Sequence, residues 1–169
     1  MAKVAAIIAD MFEDSEFSAP VEAFSKAGHE VVTVGIKAGV TVKGKKDGLE
    51  VLVHKAVAGE NAADYDALLI PGGYSPDKLR RYREALEFTR DFFLYDKPVF
   101  IICHSVQLLV SCDVLKGRKL TCLPGIAQDA LNAGGMFFDR EVVVDGALVS
   151  SRTPDDLPAF IRESLKKLG

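Results

Sequence analysis

The apolar run PVFII at residues 98–102 limits the possible folds of this chain more than any other feature. It lacks the alternation of polar and apolar residues that marks a strand with one face in water. It ends at Cys103, where an apolar helical pattern starts at once. A run of this kind is typical of a parallel strand buried on both faces, which needs helices on each side of its sheet.

The rest of the chain repeats the same alternation of strand and helix patterns, which predicts an α/β domain. The predicted strands are residues 3–9, 29–36, 67–73, 98–102 and 118–123. The predicted helices are residues 18–28, 83–96, 104–115, 126–135 and 153–169, and Pro158 delays the regular part of the last one.

Two further segments predict β-hairpins. Residues 141–151 hold an Asp-Gly pair between two apolar runs, a strong hairpin signal, and residues 39–54 look like a hairpin added to the edge of the sheet. We therefore predict one domain over residues 1–169. Its fold is a three-layer sandwich around a mostly parallel sheet, with an added β-hairpin.

Composition excludes several classes of function. With 27% charged residues and a net charge of -3, the chain has no electrostatic reason to bind nucleic acid or an anionic membrane. No apolar run approaches the roughly 20 residues that a membrane span needs. The apolar run near the N-terminus is too short for a signal peptide, so we expect a cytoplasmic protein.

Three predicted strands end in residues that can carry chemistry. Glu13 follows the first strand, Gly72 and Gly73 end the third, and Cys103 and His104 follow the buried run. In open parallel sheets, ligands bind outside the carboxyl ends of the strands. These ends therefore predict a site with Cys103 as nucleophile. A thiol at the start of a helix is expected to have a lowered pKa.

Each of these residues also has a simpler interpretation. Glu13 is an acid favoured in a first helical turn, the glycines form a tight turn, and the His104 ring lies in solvent. A free cysteine is more often a small buried hydrophobe, which is how we interpret Cys112 and Cys122. No cofactor motif is present and no histidine has partners at metal-ligand spacing, so we expect neither cofactor nor metal.

Several ordered motifs together resemble the ThiJ/PfpI superfamily, and in particular its PfpI-type intracellular cysteine peptidases. The matching segments span nearly the whole chain: FEDSE, DYDALLIPGG, KPVFIICHS, VLKGRKLT, NAGG, EVVVDG and SSRTPDDLPAF. The resemblance implies a flavodoxin-like sandwich that assembles as a homodimer or hexamer.

The resemblance also implies roles for the residues at the strand ends. Cys103 would be the nucleophile and His104 its acid and base. Glu13, when protonated, would hydrogen-bond the sulfur, and the Gly72 and Gly73 amides would stabilise an oxyanion.

The chain departs from the family pattern at two positions. Asp77 falls where the PfpI peptidases carry a glutamate that reaches the histidine from a neighbouring subunit, and it is one methylene shorter. Ser105 replaces the usual glycine after Cys-His, which we expect to change the floor of the site and leave the fold intact.

We therefore expect a Cys103-dependent enzyme that attacks electrophilic carbonyls in a stress or damage response. Its substrates would be peptide bonds or small 2-oxoaldehydes and their adducts, and aldehydes, being more electrophilic, suit an imperfect triad better. The alternative is a redox sensor or holding chaperone that uses Cys103 as an oxidisable thiol.

Overall fold

A seven-stranded sheet forms the middle layer of the computed structural model, which describes all residues from Met1 to Gly169. The strand order is β10-β11-β7-β6-β1-β2-β5, and only β10 runs antiparallel to its neighbour. The strands are β1 (Lys3–Ile7), β2 (Glu30–Gly35), β5 (Lys55–Ala56), β6 (Ala67–Ile70), β7 (Val99–Ile102), β10 (Val143–Asp145) and β11 (Leu148–Ser151). The predicted mostly parallel sheet is confirmed.

Helices cover both faces of the sheet. They are α1 (Asp14–Lys26), α2 (Ser75–Leu79), α3 (Arg83–Leu94), α4 (Val106–Cys112), α5 (Ala127–Asn132) and α6 (Leu157–Leu168). Side chains of β1 alternate between two apolar clusters: Ala5 and Ile7 join one with α3 and α4, and Val4 and Ala6 join the other with α1 and α6. The central strands are therefore buried from both sides, as the PVFII run predicts.

The two predicted hairpins both form, but at different places in the architecture. β10 and β11 make the first, with Asp145 paired to Leu148 across a two-residue turn. β3 (Thr41–Lys43) and β4 (Glu50–Leu52) make the second as a separate two-stranded sheet, so this hairpin does not extend the main sheet. The residues that follow it, β5, take the edge position beside β2.

Two other expectations near the C-terminal half need correction or refinement. The predicted strand at 118–123 is short and lies outside the main sheet, where β8 (Lys119–Leu120) pairs with β9 (Met136–Phe137). The last helix begins at Leu157 after a 3₁₀ turn, with Pro158 in its first turn, where no amide donor is needed. No helix of the structure combines the length and apolar character that crossing a membrane requires.

Asp14 fixes the β3–β4 hairpin to the start of α1. Its carboxylate, almost fully buried, accepts hydrogen bonds from the backbone N–H groups of Lys46, Asp47 and Leu49 at 2.9, 3.3 and 2.9 Å. Burial alone would raise the pKa of Asp14, but these amide donors outweigh it and lower the pKa. The turn of the hairpin is thus held by a side chain from the first turn of α1.

We expect Asp14→Ala to destabilise the fold by about 2–3 kcal/mol, because three hydrogen bonds to a charged acceptor are lost. Hydrogen exchange should show loss of protection in residues 44–49 while the central strands stay protected. The matched control is Asp10→Ala, which removes a single exposed hydrogen bond from Lys43 and should cost under about 1 kcal/mol. Equal protection of the hairpin turn in both variants would contradict this role of Asp14.

Candidate active site

Cys103 lies at a sharp turn between β7 and α4. Its backbone has φ +62°, a left-handed conformation that costs a non-glycine residue roughly 1–3 kcal/mol. A 3₁₀ turn at Cys103–Ser105 leads into α4, and the thiol side chain stays partly exposed. The structure therefore holds a strained cysteine at the carboxyl end of a central strand, as expected for a nucleophile.

His104 contacts the sulfur of the preceding residue. Its Nδ1 lies 3.2 Å from Cys103 Sγ, and its ring faces the ring of Tyr74 at 6.4 Å between centroids. Burial lowers the pKa of His104, and the charge of Lys45 lowers it further. The imidazole is therefore neutral at pH 7 and able to accept a proton.

A glutamate does lie beside the sulfur, but it is Glu16 and not Glu13. Glu16 Oε2 accepts the Gly72 N–H at 2.7 Å, and the carboxyl is fully buried. Glu16 and the Cys103 thiol interact closely enough to change each other's pKa, although Oε1 lacks a hydrogen-bond partner of good geometry.

The position of Glu16 follows from helical spacing. Glu13 is the N-cap of α1, with an extended backbone, whereas Glu16 lies in the first turn. It belongs to the buried face of that helix, together with Phe17, Pro20 and Phe24. An acid on the apolar side of a helix is the signal in the sequence that identifies it.

The pKa values of Glu16 and Cys103 are both raised. Burial raises the pKa of Glu16 to about 8, against the opposing effect of the Gly72 amide, and the carboxyl is protonated at pH 7. Burial, followed by the negative charge of Glu16, raises the pKa of Cys103 to about 12. The predicted lowering of the Cys103 thiol pKa is therefore wrong. The sulfur is too desolvated for the His104 amide and Lys45 to compensate.

The two glycines at the end of β6 have different roles. Gly72 already donates its N–H to Glu16, so it does not offer the oxyanion amide predicted for it. A side chain at Gly72 would collide with Glu16 and Ile102 O. Gly73 has φ +77° and its N–H donates to no protein acceptor. Of the pair, Gly73 alone keeps a free donor.

Lys45 is a component of this region that the sequence pattern did not reveal. It lies in the turn of the β3–β4 hairpin, and its Nζ is 3.2 Å from Glu13 Oε2 and 5.3 Å from the centre of the Tyr74 ring. These residues line a depression of about 340 Å³ together with Met11 and Lys46. Glu13 thus pairs with a lysine and not with the sulfur.

Ser105 occupies the floor of the turn. Its fully buried hydroxyl contacts the carbonyl oxygens of Ile70 and Ile102, the latter at 2.6 Å, and accepts the Ile102 N–H at 3.3 Å. The serine therefore links the ends of β6 and β7. These contacts explain how the turn accommodates a side chain at the position where we expected glycine from the resemblance.

Asp77 lies on α2, half exposed, with ion pairs to Arg80 and Arg81 at 3.9 and 3.8 Å. No hydrogen bond or ion pair joins it to His104 within the chain. Its predicted contact with His104 across a subunit boundary remains a prediction.

The model of the DJ-1/PfpI family matches residues 2–167. The chain belongs to the DJ-1/PfpI family. The predicted flavodoxin-like sandwich is therefore confirmed together with the ThiJ/PfpI resemblance.

Relatives in the DJ-1/PfpI family are similar over their whole length. "Protein/nucleic acid deglycase 2" of Escherichia coli (strain K12) is 56% identical over 168 residues, covering 99% of this chain and 98% of that protein. "Putative cysteine protease YraA" of Bacillus subtilis (strain 168) is 48% identical over 166 residues, covering 98% of each.

A solved structure shows the same fold with a TM-score of 0.98 at 37% identity. It is a two-domain protein with DJ-1/ThiJ/PfpI-like and ferritin-like domains from Anabaena variabilis, and it matches all of this chain. The chain spans 48% of that protein's length.

The raised pKa of Glu16 predicts a pH-dependent stability. The folded state keeps a proton up to about pH 8 that an unfolded glutamate releases near its ordinary value of 4.5. The stabilisation is thus fully present below about pH 4.5 and is lost as the pH rises through 8. The difference between the folded and unfolded pKa values of Glu16 corresponds to roughly 5 kcal/mol of folding free energy at most.

Glu16→Gln should remove most of this dependence in urea unfolding at pH 5 and pH 8.5. Glu22→Gln is the matched control, because Glu22 lies exposed on the same helix, paired with Lys26. Parallel stability curves for wild type and Glu16→Gln would show that Glu16 ionises normally.

Proposed function

We propose that this protein is a cofactor-independent enzyme that uses Cys103 to convert 2-oxoaldehydes, and to remove their adducts from amines. The observation that carries the proposal is the buried, protonated Glu16 carboxyl next to a thiol at a strained turn. His104 at 3.2 Å and the free Gly73 N–H complete the groups that such a reaction needs.

In the first step, the sulfur adds to the aldehyde carbon. The S–C bond forms, and the neutral His104 takes the thiol proton and passes it to the carbonyl oxygen, giving a hemithioacetal. From an amine adduct, the same attack releases the amine. Burial opposes ionisation of the sulfur, so we assign protonated Glu16 the hydrogen bond to the sulfur and Lys45 the countercharge during attack.

In the second step, the proton on the former aldehyde carbon moves to the neighbouring carbonyl carbon. His104, which is neutral, accepts and returns this proton, and the Gly73 N–H stabilises the charge on oxygen. The product is a 2-hydroxyacyl thioester of Cys103, which water hydrolyses to the hydroxy acid. One carbon is oxidised and its neighbour reduced, so no external electron carrier takes part.

The names of the relatives support a cysteine enzyme without choosing between two substrate classes. One is named a protein/nucleic acid deglycase and the other a "putative cysteine protease". We favour the aldehyde substrates, because a thiol with a raised pKa attacks a strongly electrophilic aldehyde more readily than an amide. A role in the repair of carbonyl damage follows from this choice.

Cys103→Ala should lower lactate formation from methylglyoxal by about 10³-fold or more, because the S–C bond can no longer form. The fold should remain intact, as judged by urea unfolding. Cys112→Ala is the matched control. It removes another free thiol, on the buried side of α4, and should retain activity.

Three other outcomes would contradict this choice of substrate. Cys103-dependent cleavage of peptides without turnover of glyoxals would favour the peptidase. Ready conversion of Cys103 to a sulfinate without any turnover would favour a redox sensor, and suppression of client aggregation without turnover a holding chaperone.

We also propose that the enzyme is a homodimer or hexamer in which Asp77 of one subunit orients His104 of another. The exposure of Asp77 and its lack of a contact with His104 in the chain support an intersubunit role. Asp77→Asn should then lower kcat by about tenfold, because the neutral amide orients the imidazole less well.

Mixing two inactive or weakened variants tests the intersubunit contact. A mixed oligomer of Cys103→Ala and Asp77→Asn subunits pairs an intact Cys103 with an intact Asp77 and should regain activity above either variant alone. Full activity of Asp77→Asn, or no recovery on mixing, would contradict the contact.

A further inference from the structure

Lys45 is held in place by the backbone on both sides of its turn. Its own N–H donates to Phe12 O at 2.9 Å, and Asp14 accepts the N–H of the next residue. Gly44, just before it, packs so closely on Asp14 that a side chain there would collide with the carboxylate. The lysine therefore points into the site from a fixed turn and not from a free loop.

The ammonium of Lys45 has donors to spare. It carries three N–H donors, and Glu13 is the single acidic partner within ion-pair distance. The Lys45 side chain is 29% exposed, whereas that of Glu13 is 12% exposed. The ring of Tyr74 covers one side of the cation. The ammonium donates to no other protein group, and Lys45 lines the depression described above.

The Tyr74 ring, which is 5.3 Å from the Lys45 Nζ, lies 6.4 Å from the His104 ring, so the same cation lies near the reacting groups. Its charge lowers the pKa of His104 and opposes the rise in the pKa of both Cys103 and Glu16. A negatively charged group of a ligand bound at the sulfur would therefore lie in the field of Lys45.

We propose that Lys45 binds the carboxylate of small ligands at Cys103, with Glu13 as a built-in anion that the ligand displaces. The ligands are 2-oxo compounds that carry a carboxylate beside the reacting carbon, and the 2-hydroxy acid products. This inference rests on the proposed function, because it names the ligand class of the same site.

The Lys45–Glu13 pair gives the site a selectivity that neither residue has alone. In the empty site Glu13 neutralises Lys45, so the pair carries no net charge and does not exclude neutral aldehydes. A carboxylate competes with Glu13 for the ammonium, and the strength of that competition sets the affinity for anions. Removing Lys45 and removing the charge of Glu13 should therefore have opposite effects.

Two alkylating reagents of similar size test this directly. Iodoacetate and iodoacetamide both alkylate the sulfur of Cys103: an S–C bond forms, and iodide and the thiol proton leave. Of the two reagents, iodoacetate alone carries a negative charge. We expect Lys45→Met to lower the iodoacetate-to-iodoacetamide rate ratio about fivefold and Glu13→Gln to raise it about twofold or more. Lys45→Arg should keep the wild-type ratio.

The iodoacetamide rate in each variant corrects for changes in the reactivity or folding of the thiol. Lys43→Met is the charge-matched control on the same hairpin, where the lysine pairs with Glu50, and it should leave the ratio unchanged. As a second measurement, glycolate should protect wild-type Cys103 from iodoacetamide at concentrations that do not protect Lys45→Met.

The two proposals fail in different ways. An unchanged ratio in Lys45→Met, while iodoacetamide still labels Cys103, would overturn the anion site and leave the nucleophile in place. A Cys103 that iodoacetamide cannot label in wild type would contradict the proposed function and this inference together.

Discussion

The hydrogen bond between the Glu16 carboxyl and the Gly72 amide is the contact on which the candidate site depends. It joins the first turn of α1 to the end of β6 and leaves the carboxyl buried beside the sulfur of Cys103. Because water is excluded there, the carboxyl keeps its proton at pH 7. The same contact uses the Gly72 amide, so that of the two glycine amides only the one of Gly73 is free to donate.

The turn around Cys103 combines strain with support from its neighbours. A left-handed cysteine persists only where the surroundings hold it, and the hydroxyl of Ser105 contacts the ends of the two strands that meet there. The helix that follows is anchored in the apolar cluster by Val106 and Leu109. The backbone that carries the sulfur is thus fixed by the Ser105 hydrogen bonds and by the packing of α4.

The sequence predicts which strand ends form this site better than it predicts the pKa values of the residues there. PVFII identifies the central strand, and the order of strand ends brings Cys103 near the glycines, because parallel strands share one carboxyl edge. To choose between Glu13 and Glu16, one must know in which direction each side chain points. Their position after the strand does not give this information. Helical spacing does, since Glu16 lies four residues before Pro20 on the buried side of α1.

Other features follow from long-range contacts that local patterns do not encode. The raised pKa of Cys103 depends on the burial of the sulfur and on Glu16 and Lys45, which come from separate segments of the chain. Lys45 reaches the site because Asp14 binds a turn about thirty residues away in sequence. A run of charged residues in such a turn looks like an ordinary solvated loop until that contact is known.

The β3–β4 hairpin is a separate sheet whose strands pack on the core through Val42 and Val51, whereas its turn is held by Asp14 and a few backbone hydrogen bonds. Its turn can therefore change length or charge during evolution while the cysteine, its histidine and the buried acid stay where they are. Homologues with one shared reactive centre could diversify in what they accept by exchanging this turn alone. The turn could also be exchanged between family members by design, while the residues around Cys103 are kept unchanged.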